Sequence, residues 1–236
     1  MKKLSFYFIK CLFAVLICTV LISCEEKADP LPHYVISNVT KCERESVKML
    51  MTYSGNTIST YNWYENDALV SSSNVKYTPG SISFTLKDVR YDIQLALTKG
   101  GFRIESMRAS SGIATLYSVD YWFDKENRLE KALVNGSTLD NPHQATSVWV
   151  SYKYEGNKIT TSDGGYLELS VDENVGNVCN VLDFAGSRLT STYVINPDFY
   201  FLNIYGTPIT KLPQGQTVSY NEKNQLSRVG KYYYEY

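Results

Sequence analysis

From Tyr34 to Tyr236 the chain alternates short runs rich in Val, Ile, Thr, Tyr and Phe with clusters of Gly, Asn, Asp and Pro. The runs at 89–97, 102–108, 113–123, 128–134, 146–154, 166–171, 188–195 and 216–220 have strand length, and no segment of helical length carries a 3.6-residue apolar stripe. Turn chemistry punctuates them at Ser54-Gly55-Asn56, Pro79-Gly80, Lys99-Gly100-Gly101, Asp124 to Asn127, Glu155-Gly156-Asn157, Asp163-Gly164-Gly165 and Asn221 to Asn224. Connections this short make consecutive strands pair antiparallel. The pattern predicts one all-β domain over 34–236. Its expected form is an antiparallel meander of many short hairpins, curled into a barrel-like or strongly curved single sheet and exposed to water.

Side-chain parity then separates the two faces of each strand. Tyr117, Val119, Tyr121 and Phe123 share one face, and Ser118, Asp120 and Trp122 the other. Val148, Val150, Tyr152 and Tyr154 likewise oppose Ser147, Trp149, Ser151 and Lys153. Two tryptophans thus fall on a polar register, while Trp63 fits either face. With 128–134 as the strand between, Trp122 and Trp149 stand roughly 9 to 10 Å apart, with Arg128 and Glu130 between them. Together with Asp120 these residues form the candidate binding site, a platform for a sugar ring or an extended peptide. The plainer alternative is a cross-strand aromatic contact that stabilises the sheet.

The first residues follow a different pattern. Lys2 and Lys3 precede an apolar run from Leu4 to Leu21 that ends in Leu21-Ile22-Ser23-Cys24. That is the layout of a cleavable secretory signal over 1–23, and the small residue before cysteine resembles a bacterial lipobox. The resemblance implies cleavage before Cys24 and lipidation of its thiol, a stable anchor when several acyl chains are attached. Residues 24–33, with Pro30 and Pro32, read as a tether. Glu25 and Glu26 are similar to the surface-export signal of Bacteroidota lipoproteins; alternatively they simply begin a solvated tether. The expected address is the outer membrane, at the cell surface or on the periplasmic face.

Lys2, Lys3 and Lys10 leave with the signal, so 23 basic side chains fall to 20 against 24 acidic. A net negative chain lacks the clustered cations that nucleic acid demands. Cys11 and Cys18 are also lost, and Cys24 is taken by lipid, which leaves Cys42 and Cys179. An oxidising compartment permits a disulfide between them; a buried free thiol at Cys179 is the other reading.

Catalytic chemistry is sparse. The two histidines, His33 and His143, lie in no spacing that pairs them with a nucleophile or a zinc-ligand set. Asp120, Asp124, Glu126 and Glu130 are close in sequence, yet 124–127 reads first as a turn and lacks the glycine and spacing of a calcium loop. Dispersed carboxylates of the glycosidase kind need no local motif and stay open as a lesser alternative. The expectation is a binding protein with no cofactor or metal, whose partners are a membrane through the lipid and a carbohydrate or envelope protein. A structural component of an envelope complex is the alternative.

A weak repetition runs through the domain: Val119-Asp120-Tyr121-Trp122-Phe123-Asp124 to Asn127-Arg128-Leu129, Val150 to Ile159, and Val218-Ser219-Tyr220-Asn221 to Asn224-Gln225-Leu226. It resembles the Tyr-Asp hairpin repeats of Rhs-type proteins. With Leu212-Pro213 and the final Tyr232-Tyr233-Tyr234-Glu235-Tyr236, it is also similar to a Bacteroidota lipoprotein family whose domain of unknown function has a porin-like β fold. That resemblance implies architecture and address, and no activity. The alternating terminal tyrosines also resemble the assembly signal of membrane barrels. Charges at Lys87, Arg90, Asp92, Arg103, Glu105, Arg108, Glu168 and Arg188 interrupt the apolar row that a lipid-facing strand requires.

Overall fold

The computed structural model describes residues 39–55, 57–98, 101–138, 141–173, 193–202, 204–206, 211–223 and 225–236. The signal, Cys24, the tether with His33, and Cys179 lie outside the described residues, and of His143 only the backbone is described. Seventeen strands occur among them, all antiparallel. In chain order they are β1 (Lys41–Arg44), β2 (Val47–Ser54), β3 (Thr57–Glu65), β4 (Ala68–Asn74), β5 (Lys76–Thr78), β6 (Ser81–Leu86), β7 (Val89–Thr98), β8 (Gly101–Ser111) and β9 (Ala114–Phe123). There follow β10 (Leu129–Thr138), β11 (Asn141–Glu155), β12 (Lys158–Thr161), β13 (Tyr166–Glu173), β14 (Lys211–Pro213), β15 (Val218–Tyr220), β16 (Leu226–Val229) and β17 (Tyr232–Glu235).

The meander is present, but the single curved sheet is not: the strands divide between two sheets that backbone hydrogen bonds do not close into a barrel. One holds seven strands in the order β15-β16-β17-β1-β2-β3-β4, the other ten in the order β14-β13-β12-β11-β10-β9-β8-β7-β6-β5. Among the described residues the chain crosses between them twice. At Val75, whose N–H still donates to Ser59 O at 2.9 Å, the chain leaves β4 and takes up β6 as β5. Alongside that crossing, serine hydroxyls replace the ladder between β4 and β6: Ser73 Oγ accepts from Thr85 N at 3.0 Å and Ser71 Oγ from Lys87 N at 3.1 Å. At the second crossing Gln214 N donates back to Glu168 O at 2.7 Å, and Gly230 N donates to Thr217 O at 2.8 Å. Gly215 between them has φ 77°, a conformation glycine adopts at low cost.

The turns at Pro79-Gly80, Asp124 to Asn127, Glu155-Gly156-Asn157 and Asp163-Gly164-Gly165 sit where the sequence placed them, while Asn56, Lys99, Gly100 and Asn224 of the other three lie outside the described residues. Two others carry no glycine at all. Asn66-Asp67 (φ 48° and 62°) and Lys87-Asp88 (φ 49° and 63°) have both central residues left-handed, the backbone of a type I′ hairpin turn that matches strand twist.

One apolar run departs from the strand expectation. Of 188–195, residues 188–192 lie outside the described set, while Tyr193 and Val194 are helical and lead into a 3-10 helix at Pro197–Leu202. Pro197 pre-sets the φ of a first helical residue and removes a donor that a strand would need. Val194, Ile195, Phe199, Phe201, Leu202 and Ile204 are all buried in one cluster with the apolar faces of both sheets. Phe199 meets Phe84 and Tyr91 of the ten-stranded sheet edge-on at 5.0 and 4.6 Å, and Phe201 meets Tyr234 of the seven-stranded sheet at 6.3 Å. Polar pins hold it: Tyr121 Oη donates to Val194 O at 2.8 Å, and Ile104 N donates to Ile204 O at 2.7 Å. The segment 193–206 therefore fills the space between the sheets.

Two substitutions test this packing by urea unfolding. Phe199→Ala is expected to cost about 3–5 kcal/mol, through lost transfer energy and a cavity. Gly136 has φ 140°, and a Cβ there would stand 2.5 Å from Leu116 O and 2.6 Å from Tyr117 Cα. Gly136→Ala is expected to lower the midpoint clearly more than Gly112→Ala, whose Cβ would meet nothing within 4 Å.

Candidate functional site

Antiparallel register lays the outer face of the ten-stranded sheet out in rows. Asp92, Arg108, Ser118, Asn135 and Ser147 align across β7 to β11. Ser106, Asp120, Leu133 and Trp149 form the next row, and Trp122, Lys131 and Ser151 the one beyond. The opposite parity, with Tyr117, Val119, Tyr121, Ala132, Val134, Val150 and Tyr152, is buried. Parity thus placed the tryptophans on the outer face, where Trp122 is 38% and Trp149 53% exposed. Trp63 belongs inside: it is buried, with Lys87 Nζ 4.2 Å from its ring centroid and its Nε1 donating to Glu65 at 3.2 Å.

The indoles are closer than two strand spacings. They lean over β10 until their centroids lie 5.1 Å apart at a 40° tilt. Lys131 Nζ stands 5.5 Å from one centroid and 5.4 Å from the other, so one ammonium is shared by two rings. Such an arrangement favours the cation by about 0.5–1 kcal/mol per exposed contact.

Arg128 and Glu130 do not fill the place between the tryptophans, and the reason is a β-bulge. Leu129 pairs with Phe123 but Lys131 with Trp122, so Glu130 is the extra residue and the parity of β10 shifts by one. Lys131 comes under the rings and Glu130 lies exposed beside the ladder. Strict alternation through 128–134 cannot register an inserted residue, so it offers Arg128 and Glu130 and misses Lys131.

Arg128 serves the turn instead. Its Nη2 lies 2.7 Å from Asp124 Oδ2 and 2.8 Å from Glu126, and its guanidinium covers the Tyr154 ring at 4.5 Å. Asp124 Oδ1 accepts the backbone N–H groups of Glu126 and Arg128, both at 2.9 Å. Burial pushes the Asp124 carboxyl up, but these donors and the Arg128 guanidinium outweigh it and hold the pKa below the usual carboxylate value of 3.8. Asp124 and Glu126 are thereby committed to one cation. The turn also anchors the interior segment, because Arg128 bridges to Gly206.

Asp120 sits in the tryptophan row, next to Ser106 and Leu133. Cys42 is half-buried on β1, opposite Met49 and Tyr234, and its proposed partner Cys179 is outside the described residues. Among the described residues no group of three or more His, Cys, Asp or Glu side chains is gathered as a metal site would require. Around Trp122 and Trp149 the outer face offers an apolar double ring with the Lys131 ammonium, bordered by Asp120, Ser106 and Ser151, with Asp92 and Arg108 further across it.

No protein-family model matches the chain, and no curated protein matches it. Among solved structures, a porin-like protein from Bacteroides uniformis superposes with a TM-score of 0.56 at 12% sequence identity, covering 87% of this chain and 99% of that one. That likeness is one of fold: the chain has a porin-like β fold.

The Asp124 turn yields a signed pH dependence. A carboxyl whose folded pKa is depressed contributes stability above its unfolded value near 3.8 and loses it as the pH falls through the folded value. Asp124→Asn is expected to lower stability by about 1–2 kcal/mol at pH 7. The gap between the two proteins' urea midpoints should narrow below about pH 4.

Proposed function

We propose that this chain is an outer-membrane lipoprotein, held through an acylated Cys24, that binds a saccharide on the outer face of its ten-stranded sheet and is not an enzyme. The observation that carries the reading is the Trp122–Lys131–Trp149 cluster. A sugar ring has an apolar face and a hydroxylated rim, and here two half-exposed indoles in contact are bordered by Asp120, Ser106 and Ser151. Stacking would take the indoles, while the rim would hydrogen-bond to the carboxylate and hydroxyls.

The polarity of the domain supports a water-facing surface. A membrane barrel turns its apolar side chains outward and keeps a polar lumen. In this fold Ile93, Met107, Val119, Val134 and Val150 point into the core, and Asp92, Arg108, Lys131 and Lys153 point away from it. A structural role in an envelope assembly is the second reading, favoured by Leu69 and Val70, which are exposed on the edge strand β4.

A glycan array probed with the full chain in detergent tests the proposal. At least one saccharide class is expected to bind, with affinity reduced about tenfold or more by Trp122→Ala or Trp149→Ala, since base or ring stacking on an aromatic is worth on the order of 1–3 kcal/mol. Binding that ignores both changes removes the cluster from the site. A stoichiometric protein crosslink in cells, with no saccharide retained, would favour the assembly reading.

A further inference from the structure

Where the chain crosses from β4 to β5, the two sheets part and leave a cleft of about 250 Å³. Ser73 and Asn74 line one wall, Lys76 the end, Ser83 and Thr85 the other wall, and Arg90 the rim. The cleft exists because β6 changes partner along its length. Its first half, Ser81–Ser83, pairs with β5, whereas beyond it the N–H groups of Thr85 and Lys87 donate to the Ser73 and Ser71 hydroxyls of β4. Ser73 is buried and uses its oxygen to accept from Thr85 N, which leaves its own proton for a further acceptor.

The charge around the cleft is uneven. Lys76, Ser83, Asp92 and Arg108 share one row, and Arg90 stands opposite Thr85 in the next. Asp92 is taken by Arg90, with three N–H···O contacts between 2.7 and 3.1 Å. Lys76 and Arg90 line the cleft against one neighbouring acid, Asp92, which leaves one cationic charge over, and Arg108 stands one strand beyond. A cleft with several hydroxyl and amide groups, a cationic excess, and space on the scale of one small ring is suited to a ligand that is both hydroxylated and acidic.

We infer that the β4–β6 cleft is a second binding site, which takes an acidic sugar unit bearing a carboxylate or sulfate. Lys76, with the Arg90 Nη1 that the Asp92 contacts do not use, attracts the acid group, and Ser73, Asn74, Ser83 and Thr85 hydrogen-bond to the ring hydroxyls. The site is separate from the tryptophan cluster, since β6 and β10 are four strand spacings apart, about 19 Å.

The test is calorimetric titration of the full chain in detergent with a trigalacturonate, a sulfated disaccharide, the neutral parents of both, and inorganic sulfate. An acidic saccharide is expected to bind more tightly than its neutral parent, to weaken as salt is raised, and to lose about tenfold or more in affinity with Lys76→Ala or Arg90→Gln. Trp122→Ala should leave that binding unchanged, so the cleft and the tryptophan site fail or survive independently. Both cleft variants are at exposed positions, and equal urea midpoints would certify their folding. The inference is overturned if acidic and neutral saccharides bind alike or not at all, if both cleft variants bind like the parent, or if inorganic sulfate binds as tightly as the saccharides.

Discussion

Among the described residues the two sheets share no continuous backbone ladder, and what holds them face to face is the burial of their apolar sides against one another and against residues 193–202 and 204–206. At the β4–β6 edge two serine hydroxyls do the work of a ladder, and at the β14–β15 edge the chain merely passes from one sheet to the other. Neither seam is strong by itself, because a hydrogen bond contributes only about 0.5–1.5 kcal/mol net. The interior is different. Phe199 and Phe201 reach opposite sheets from the same short 3-10 helix, and each fully buried side chain of this size is worth about 1.5–3 kcal/mol in transfer alone. The segment joins the sheets through side chains where the backbone does not.

That arrangement explains the abundance of tyrosine. An inward tyrosine brings a large apolar ring and a hydroxyl that needs a partner. Tyr121 spends its hydroxyl on Val194 O, Tyr154 on Leu129 O, and Tyr53 on Val39 O. Each bond supplies a donor to a carbonyl where regular pairing starts or stops: Val194 in the helical turn, Leu129 at the bulged start of β10 and Val39 just before β1. Burial raises the Tyr121 and Tyr154 hydroxyls well above the ordinary tyrosine value, so they remain donors throughout the physiological range. Tyr236 does the same for Leu226 O at the chain end and is pushed up to about 12.

Strand parity was legible in the sequence wherever a strand was regular. Tyr117, Val119 and Tyr121 face the core as alternation demanded, and Trp122 and Trp149 face out. Three kinds of feature were not legible. The bulge at Glu130 reversed the parity of half of β10, and nothing in Leu129-Glu130-Lys131 announces an inserted residue. The turns at Asn66-Asp67 and Lys87-Asp88 hold left-handed backbones without glycine, so a search led by glycine passes over them. The apolar run before Pro197 has no period that separates a buried strand from a buried helical turn. The division into two sheets belongs to the same class, because it depends on which long-range edge each strand meets and not on any local pattern.

A porin-like β fold and a pore are separable properties, and the distribution of polarity decides between them. The same meander of hairpins can surround water or surround a core, depending on which parity of each strand is apolar. Here the apolar parity faces inward against the chain segment that packs between the two sheets, and the polar parity faces out. On that surface large aromatic rings cost solvation unless they touch something, and Trp122 and Trp149 reduce the cost by touching each other and Lys131. At 38% and 53% exposure they keep open the ring surface that the proposed stacking would use.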